Sequence, residues 1–348
     1  MPKALVISGG GSKGAFAVGV IKQLHQQFST FHFDIVVGTS TGSLITPLAA
    51  TEEFDLLEQL YTTQTTQNIV LKDNLGNRLS QHSIFDANPL WNLITHYFTD
   101  DIYNKLMTGD KQIYINTTCL QTGDITVYTN NKNPAPSDTY IVRTFQSADH
   151  FRRAIMASAC QPVFMPPIQI NKQVPGEAHP EYQYVDGGVR EYAGVEMAID
   201  NGATVIFTIL LSAETFPPTP GEFQTLFPIL GQTLDIFTMD VGKNDIIIPQ
   251  LYNKGLLYIN AVKNKMKSAG IDQATIDSYF NITLPDNPFK NKVPLKLYII
   301  RPKEPLNGGP GGLVFDPSTM KQMLVTGQSL TGEFLASLPP SETSEWLV

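Results

Sequence analysis

The chain has 348 residues, 42% hydrophobic and 16% charged, enough to bury a large core as one α/β domain, with or without a helical insertion. Its formal net charge of −8, with no run of lysine or arginine, argues against a nucleic-acid partner and against docking by a basic patch on anionic lipid. No apolar run approaches the ~18 residues needed to span a bilayer, so any meeting with lipid is expected to be transient and at a membrane surface.

In chain order, Ala4-Leu5-Val6-Ile7 is short, apolar and β-branched, which predicts a buried strand. The glycine-rich turn Gly9-Gly10-Gly11-Ser12-Lys13-Gly14 follows, and then Phe16, Val20, Ile21, Leu24 and Phe28 recur at helical spacing. A second apolar run, Phe33 to Val37, leads into Gly38-Thr39-Ser40-Thr41-Gly42 and a second helix. Strand, helix, strand, helix in this order predicts a largely parallel sheet covered by helices on both faces. Thr51 to Asn104 reads as mainly helical with a break at Asn88-Pro89. Ile113 to Thr118 and Ile125 to Thr129 predict a hairpin around Gln121-Thr122-Gly123-Asp124. Phe151 to Ala159 predicts a helix stopped by Pro162, and Tyr182 to Val185 a strand ending at Asp186. Further strands are expected at Val205 to Leu211 and Leu295 to Ile300.

The stretch from Phe216 to Asn291 lacks α/β rhythm. Its Phe223, Leu226, Phe227, Leu230, Leu234 and Phe237 suggest an apolar helix face for core packing, with an acyl-chain pocket or mobile cover as the sharper reading. Asn307 to Gly312 reads as a flexible loop, after which Asp316-Pro317 opens a last helix with an aspartate N-cap and a proline in the first turn. Cys119 and Cys160 have neither metal-ligand nor disulfide spacing, and buried free thiols in a reducing compartment are expected. The chain enters a strand at Ala4, which leaves no room for a signal peptide, so a cytoplasmic location is the expectation.

Chemistry concentrates in three glycine-bearing motifs. The first, Gly9 to Gly14, reads as a G-x-G-x-x-G dinucleotide turn, as an elbow raising Ser12, or as a cradle of amides for an oxyanion. It is not a Walker loop, because Ala15 and Phe16 stand where lysine and serine or threonine are needed. A dinucleotide turn wants an acid at the end of the second strand. Asp34 has the separation but sits at that strand's start. The second motif places Ser40 at the apex of a strand-to-helix turn of G-x-S-x-G form. The third, Asp186-Gly187-Gly188, follows an apolar strand and puts a carboxylate at its end, where parallel sheets bind ligands.

Together these residues resemble the patatin-like phospholipase family. Its glycine-rich oxyanion loop, G-G-G-x-[KR]-G, matches Gly9 to Gly14; its G-x-S-x-G nucleophile turn matches Gly38 to Gly42; its D-G-[GA] motif matches Asp186 to Gly188. The run Ala157-Ser158-Ala159-Cys160-Gln161-Pro162-Val163-Phe164-Met165-Pro166-Pro167 resembles the family's Ser/Ala/Pro segment. One departure is Tyr192-Ala193-Gly194, which stands where many members show Asn-x-Pro. The likeness is good from Met1 to about Ser212, expected to be a catalytic core with a three-layer patatin-like fold. Residues 213–348 are expected to complete the same domain with a helical insertion near 216–291 and a final strand and helix.

The resemblance implies a lipid acyl hydrolase in which Ser40 is the nucleophile and Asp186 its base. The amides of Gly10, Gly11 and Ser12 would bind the oxyanion, supported by Gly9, Lys13, Gly14, Gly38, Gly42, Gly187 and Gly188. It implies no metal and no cofactor, and leaves the oligomeric state open. The histidines agree with a dyad: His25, His32, His82, His96, His150 and His179 all precede Asp186, out of order for a Ser-acid-His triad. Ser12 remains a rival nucleophile, and a nucleotide-binding protein or oxidoreductase using the first loop is the alternative.

Overall fold

The computed structural model describes residues 2–28, 32–72, 81–215, 218, 220–280, 282, 289 and 292–344. In chain order the strands are β1 (Lys3–Ile7), β2 (Ile35–Thr39), β3 (Leu71–Lys72), β4 (Phe85–Asp86), β5 (Gln112–Cys119), β6 (Ile125–Thr129), β7 (Ile141–Thr144), β8 (Tyr184–Asp186), β9 (Val205–Ile209) and β10 (Lys296–Ile300). The main sheet runs β10-β9-β1-β2-β5-β6-β7, parallel from β10 through β5, with β6 antiparallel to β5 and β7 parallel to β6. The short strands β3 and β4 make a separate antiparallel ribbon.

Side-chain alternation divides the core into two layers, as a sheet covered on both faces requires. Leu5 and Ile7 of β1, Val36 of β2 and Ile113 and Ile115 of β5 face one cluster, whereas Ala4, Val6, Ile35, Val37 and Tyr114 face the other. The first layer is thick. It includes Phe16, Val20 and Leu24 of α1 (Gly14–Gln27), Ile45 and Leu48 of α2 (Thr41–Ala50), Ile155 of the helix Ala148–Ala159, and Met320 and Leu324 of the helix Pro317–Ser337. The second is thinner, closed by Val195, Met197 and Ala198 of the helix Val195–Asp200 and by Ile246. The chain is thus a mixed α/β protein with a mostly parallel central sheet flanked by helices.

One register detail positions everything that follows. β2 ends at Thr39, opposite Asn116 of β5, while β5 runs on to Cys119. β8 pairs with that overhang in antiparallel sense, Asp186 opposite Thr117. Because β6 holds the far edge of β5 at Thr117 and Thr118, β8 must lie on the β2 edge. β2 and β8 therefore share a lane and run head-on. Their last residues, Thr39 and Asp186, fall on adjoining rows, opposite Asn116 and Thr117, and Ser40 follows Thr39 directly.

Between the first two strands and the hairpin, Asn88-Pro89 begins a helix, Asn88–Tyr97, with proline in the first turn where its missing N–H is not needed. The region from Phe216 to Asn291 is helical where it is described: a 43-residue helix, Leu226–Ser268, then Gln273–Phe280. Phe216, Asn291 and the side chain of Phe227 lie outside the described residues. Asp316 caps the helix Pro317–Ser337 as its sequence indicates, accepting from the Thr319 N–H at 2.8 Å. Cys119 and Cys160 are both free and buried. Among the described residues no helix is long and apolar enough to cross a membrane.

Candidate active site

Ser40 leaves β2 and caps α2 with φ 57° and ψ −124°. A positive φ in a residue with a Cβ typically costs ~1–3 kcal/mol and persists only where its surroundings over-determine the turn. They do here. A Cβ on Gly38 would lie 2.3 Å from Thr46 Oγ1, and one on Gly42 would lie 2.2 Å from the Ile7 carbonyl oxygen. These two glycines let α2 press against the ends of β1 and β2, so the turn cannot relax. The Ser40 N–H donates to Ser158 Oγ at 3.0 Å, and the Ser158 hydroxyl donates to the Asn116 carbonyl at 2.6 Å.

Asp186 arrives from the opposite direction. Its N–H donates to the Cys160 carbonyl at 2.9 Å, and its Oδ1 accepts from the Gly188 N–H at 2.8 Å. Burial pushes its pKa up to about 6, opposed by hydrogen bonds from the Ser40 hydroxyl and the Gly188 amide. Neutral water would favour the carboxylate strongly; this pocket favours it only modestly, which moves the acid toward a useful base. The approach differs from the sequence expectation in one respect. Asp186 ends an antiparallel strand, and it reaches the carboxyl ends of the parallel strands only because β5 overshoots them.

The glycine loop lies beside the serine. A Cβ on Gly9 would fall 3.0 Å from Ser40 Cβ. Gly10 and Gly11 take φ 151° and 59°, conformations that suit glycine. Gly10, Gly11 and Lys13 line the cavity, whereas the Ser12 side chain is buried away from it, with no hydrogen-bond partner for its Oγ among the described residues. The Ser12 hydroxyl therefore does not face the cavity that Ser40 lines. The expected flexible loop at Asn307 to Gly312 is instead a buttress. A Cβ on Gly312 would lie 2.1 Å from the Gly10 carbonyl oxygen, and one on Gly11 2.2 Å from the Gly312 carbonyl oxygen. Lys13 sits beside Asp235 of the long helix. Burial lowers the lysine pKa and Asp235 offsets part of that. Asp235 Oδ1 also accepts from the Gly311 N–H at 3.2 Å.

Serine, aspartate and glycine loop open onto one cavity of about 710 Å³, within the ~300–1,000 Å³ range usual for ligand pockets. Its walls are mainly apolar: Leu44, Leu60, Leu90, Ile94 and Phe98 on one side, Met165, Leu234, Phe237 and Leu313 on others. Phe164 does not line it and stacks on Phe85. None of the histidines among the described residues lines the cavity.

A family model of patatin-like phospholipases matches residues 5–199. The chain belongs to the patatin-like phospholipase family. Over 64 residues this patatin-like chain is 39% identical to a cUMP-AMP-activated phospholipase of Escherichia coli, a match spanning 17% of the chain and 20% of that protein. Among solved structures it resembles VipD of Legionella pneumophila, with 12% identity and a TM-score of 0.36, covering 97% of this chain and 67% of VipD. The dinucleotide reading of the first loop finds no support in the patatin-like site. Asp34 lies at the amino end of β2, where its carboxylate accepts from the Lys3 N–H at 2.7 Å, at the opposite end of the strands from the loop.

Sequence reasoning passed over two features of this patatin-like site. The departure at Tyr192-Ala193-Gly194 is supported by the long helix: Asp245 Oδ2 accepts from the Tyr192 and Ala193 N–H groups at 2.7 and 3.0 Å. The Tyr192 ring lies between Gly9 and Gly242, since a Cβ on Gly242 would meet it at 2.5 Å. The other is the wall built by Leu60, Ile69, Leu90, Ile94 and Phe98, whose leucine and aromatic spacing signals helix faces but not which cavity they enclose. Ser158, within the recognised Ser/Ala/Pro run, gains a specific task in holding the Ser40 amide.

Proposed function

We propose that this protein is a lipid acyl hydrolase of phospholipase A or lysophospholipase type that uses a Ser40–Asp186 dyad. Ser40 Oγ attacks the ester carbonyl carbon while its proton passes to the Asp186 carboxylate. The amides of Gly10 and Gly11, with that of Ser12, hold the tetrahedral oxyanion, each donor being worth about 10²–10³ in rate. The intermediate collapses as the alcohol leaves with the Asp186 proton, and the acyl group stays on Ser40. Water then gives a proton to Asp186, attacks the acyl carbon and releases the carboxylic acid, with the serine proton restored. The carrying observation is the head-on meeting of β2 and β8, which brings the Ser40 hydroxyl to the Asp186 carboxyl at an apolar cavity.

The cavity's character supports an acyl chain as the group bound, because its walls present few polar partners for a sugar or nucleotide. A fluorophosphonate probe followed by peptide mapping tests the assignment. Labelling at Ser40, lost in Ser40→Ala together with ester hydrolysis, is the expected outcome. Asp186→Asn is expected to lower hydrolysis at least ~10²-fold, the low end of a general-base contribution. An adduct on another residue, or full turnover by Asp186→Asn, would overturn the dyad.

A further inference from the structure

The long helix Leu226–Ser268 is apolar on two sides. Gly231, Gly242, Ile246 and Leu256 are buried against the body of the protein. At about 100° per residue, Ile229, Ile236, Phe237, Ile248, Leu251 and Tyr258 fall within roughly a third of the circumference on the outward side. Their exposure runs from 47% at Ile229 to 72% at Tyr258, too high for a helix face left to water without reason. Phe237, exposed to 62%, also lines the active-site cavity, as does the exposed Val189 after the Asp186 motif. The outward apolar ridge is therefore continuous with the mouth of the cavity.

Charge indicates what covers it. From Ile246 to Ser268 the helix carries Lys254, Lys263, Lys265 and Lys267 and no acidic residue. Lys254 and Lys265 project on the same side as Leu251 and Tyr258 and are exposed. A chain that is acidic overall thus gathers local positive charge beside the carboxyl-terminal half of this ridge, which the whole-chain charge of −8 hides, while exposed Asp240 lies on the same side in the other half. We infer that this face seats in the surface of a bilayer bearing anionic headgroups. The helix lies in the interface plane, its apolar residues enter the acyl boundary, and its lysines reach the headgroups. The cavity mouth then faces the lipid it draws from. The inference rests on the acyl-hydrolase reading for its purpose but not for its test.

Vesicle flotation of the full chain carrying Ser40→Ala, which leaves the vesicles intact, provides that test. Binding is expected on phosphatidylcholine mixed with phosphatidylglycerol and much weaker on phosphatidylcholine alone. Lys254→Gln/Lys265→Gln should bind about thirtyfold more weakly, at ~1 kcal/mol per lysine near an anionic surface. Ile248→Glu/Leu251→Glu/Tyr258→Glu should abolish flotation while turnover of a soluble short-chain ester in the Ser40 background stays unchanged. Equal flotation by both variants and the parent would overturn the proposal. So would sedimentation velocity showing a dimer that the glutamates dissociate without any vesicle binding, since the ridge would then pair two copies. Vesicle binding without hydrolysis of any ester defeats the enzymatic reading alone. Ester hydrolysis without vesicle binding defeats the docking surface alone.

Discussion

Asp186 is held in a conflict between stability and chemistry. Burial raises its pKa to about 6, above the ordinary aspartate value of 3.8, so the folded state binds the proton more tightly than the unfolded chain does. The stabilisation from the neutral acid is complete below about pH 4 and is lost as pH rises through about 6. Near pH 7 the buried carboxylate weakens the fold by about 2–3 kcal/mol. Asp186→Asn should therefore raise the urea midpoint at pH 7 while removing activity, and the gain should vanish at pH 4. With the carboxylate as base, kcat/KM on a soluble ester should rise with pH and level off above an inflection near 6. A flat profile from pH 5 to 8 would mean that this group does not accept the proton. Ser40 adds strain of the same kind, being a residue with a Cβ at φ 57°. Both residues are visible in the sequence as motif positions. Neither the burial of the one nor the backbone strain of the other is.

At the level of elements, the long helix does more than wall the cavity. Its Asp245 takes the N–H groups of Tyr192 and Ala193, in the segment that follows the Asp186 motif, and nearby Glu191 takes the Gly194 N–H at 2.7 Å. Burial raises both acids, and the charge of Asp245 raises Glu191 further, so the pair favours holding a proton. Asp245→Ala leaves two backbone donors without their acceptor, each worth about 1–3 kcal/mol when buried. The expected result is a fold weakened by about 2–6 kcal/mol and a lower kcat on soluble ester, partly restored by Asp245→Asn, which keeps a carbonyl acceptor. Unchanged kcat and urea midpoint in the alanine variant would show that the helix does not support the loop. The apolar positions of this helix are legible in the sequence and suggest core packing. Leu226 and Phe237 are instead exposed to 71% and 62%. Periodicity identifies a face but cannot say whether protein or another phase covers it.

Across the whole molecule, two loops far apart in the chain meet at the first glycine motif. The Gly10 carbonyl and Gly312 come so close that a Cβ on Gly312 would sit 2.1 Å away, with Gly312 itself at φ 72°. Gly312→Ala should therefore displace the loop carrying the proposed oxyanion donors and reduce kcat by ~10²-fold, the loss typical of one such donor. Fluorophosphonate labelling at Ser40 should slow in parallel, and wild-type rates in both assays would assign the contact to packing alone. By itself the sequence determined the order of strands and helices, the parallel core and the three motifs, because these depend on local spacing and on glycine where a side chain would clash. Tertiary structure alone decided that β5 overshoots β2 and receives β8 head-on, that a loop read as flexible braces the first motif, and that the long helix turns apolar side chains outward. Those are outcomes of register and packing between segments far apart in the chain, and no local pattern of residues encodes them.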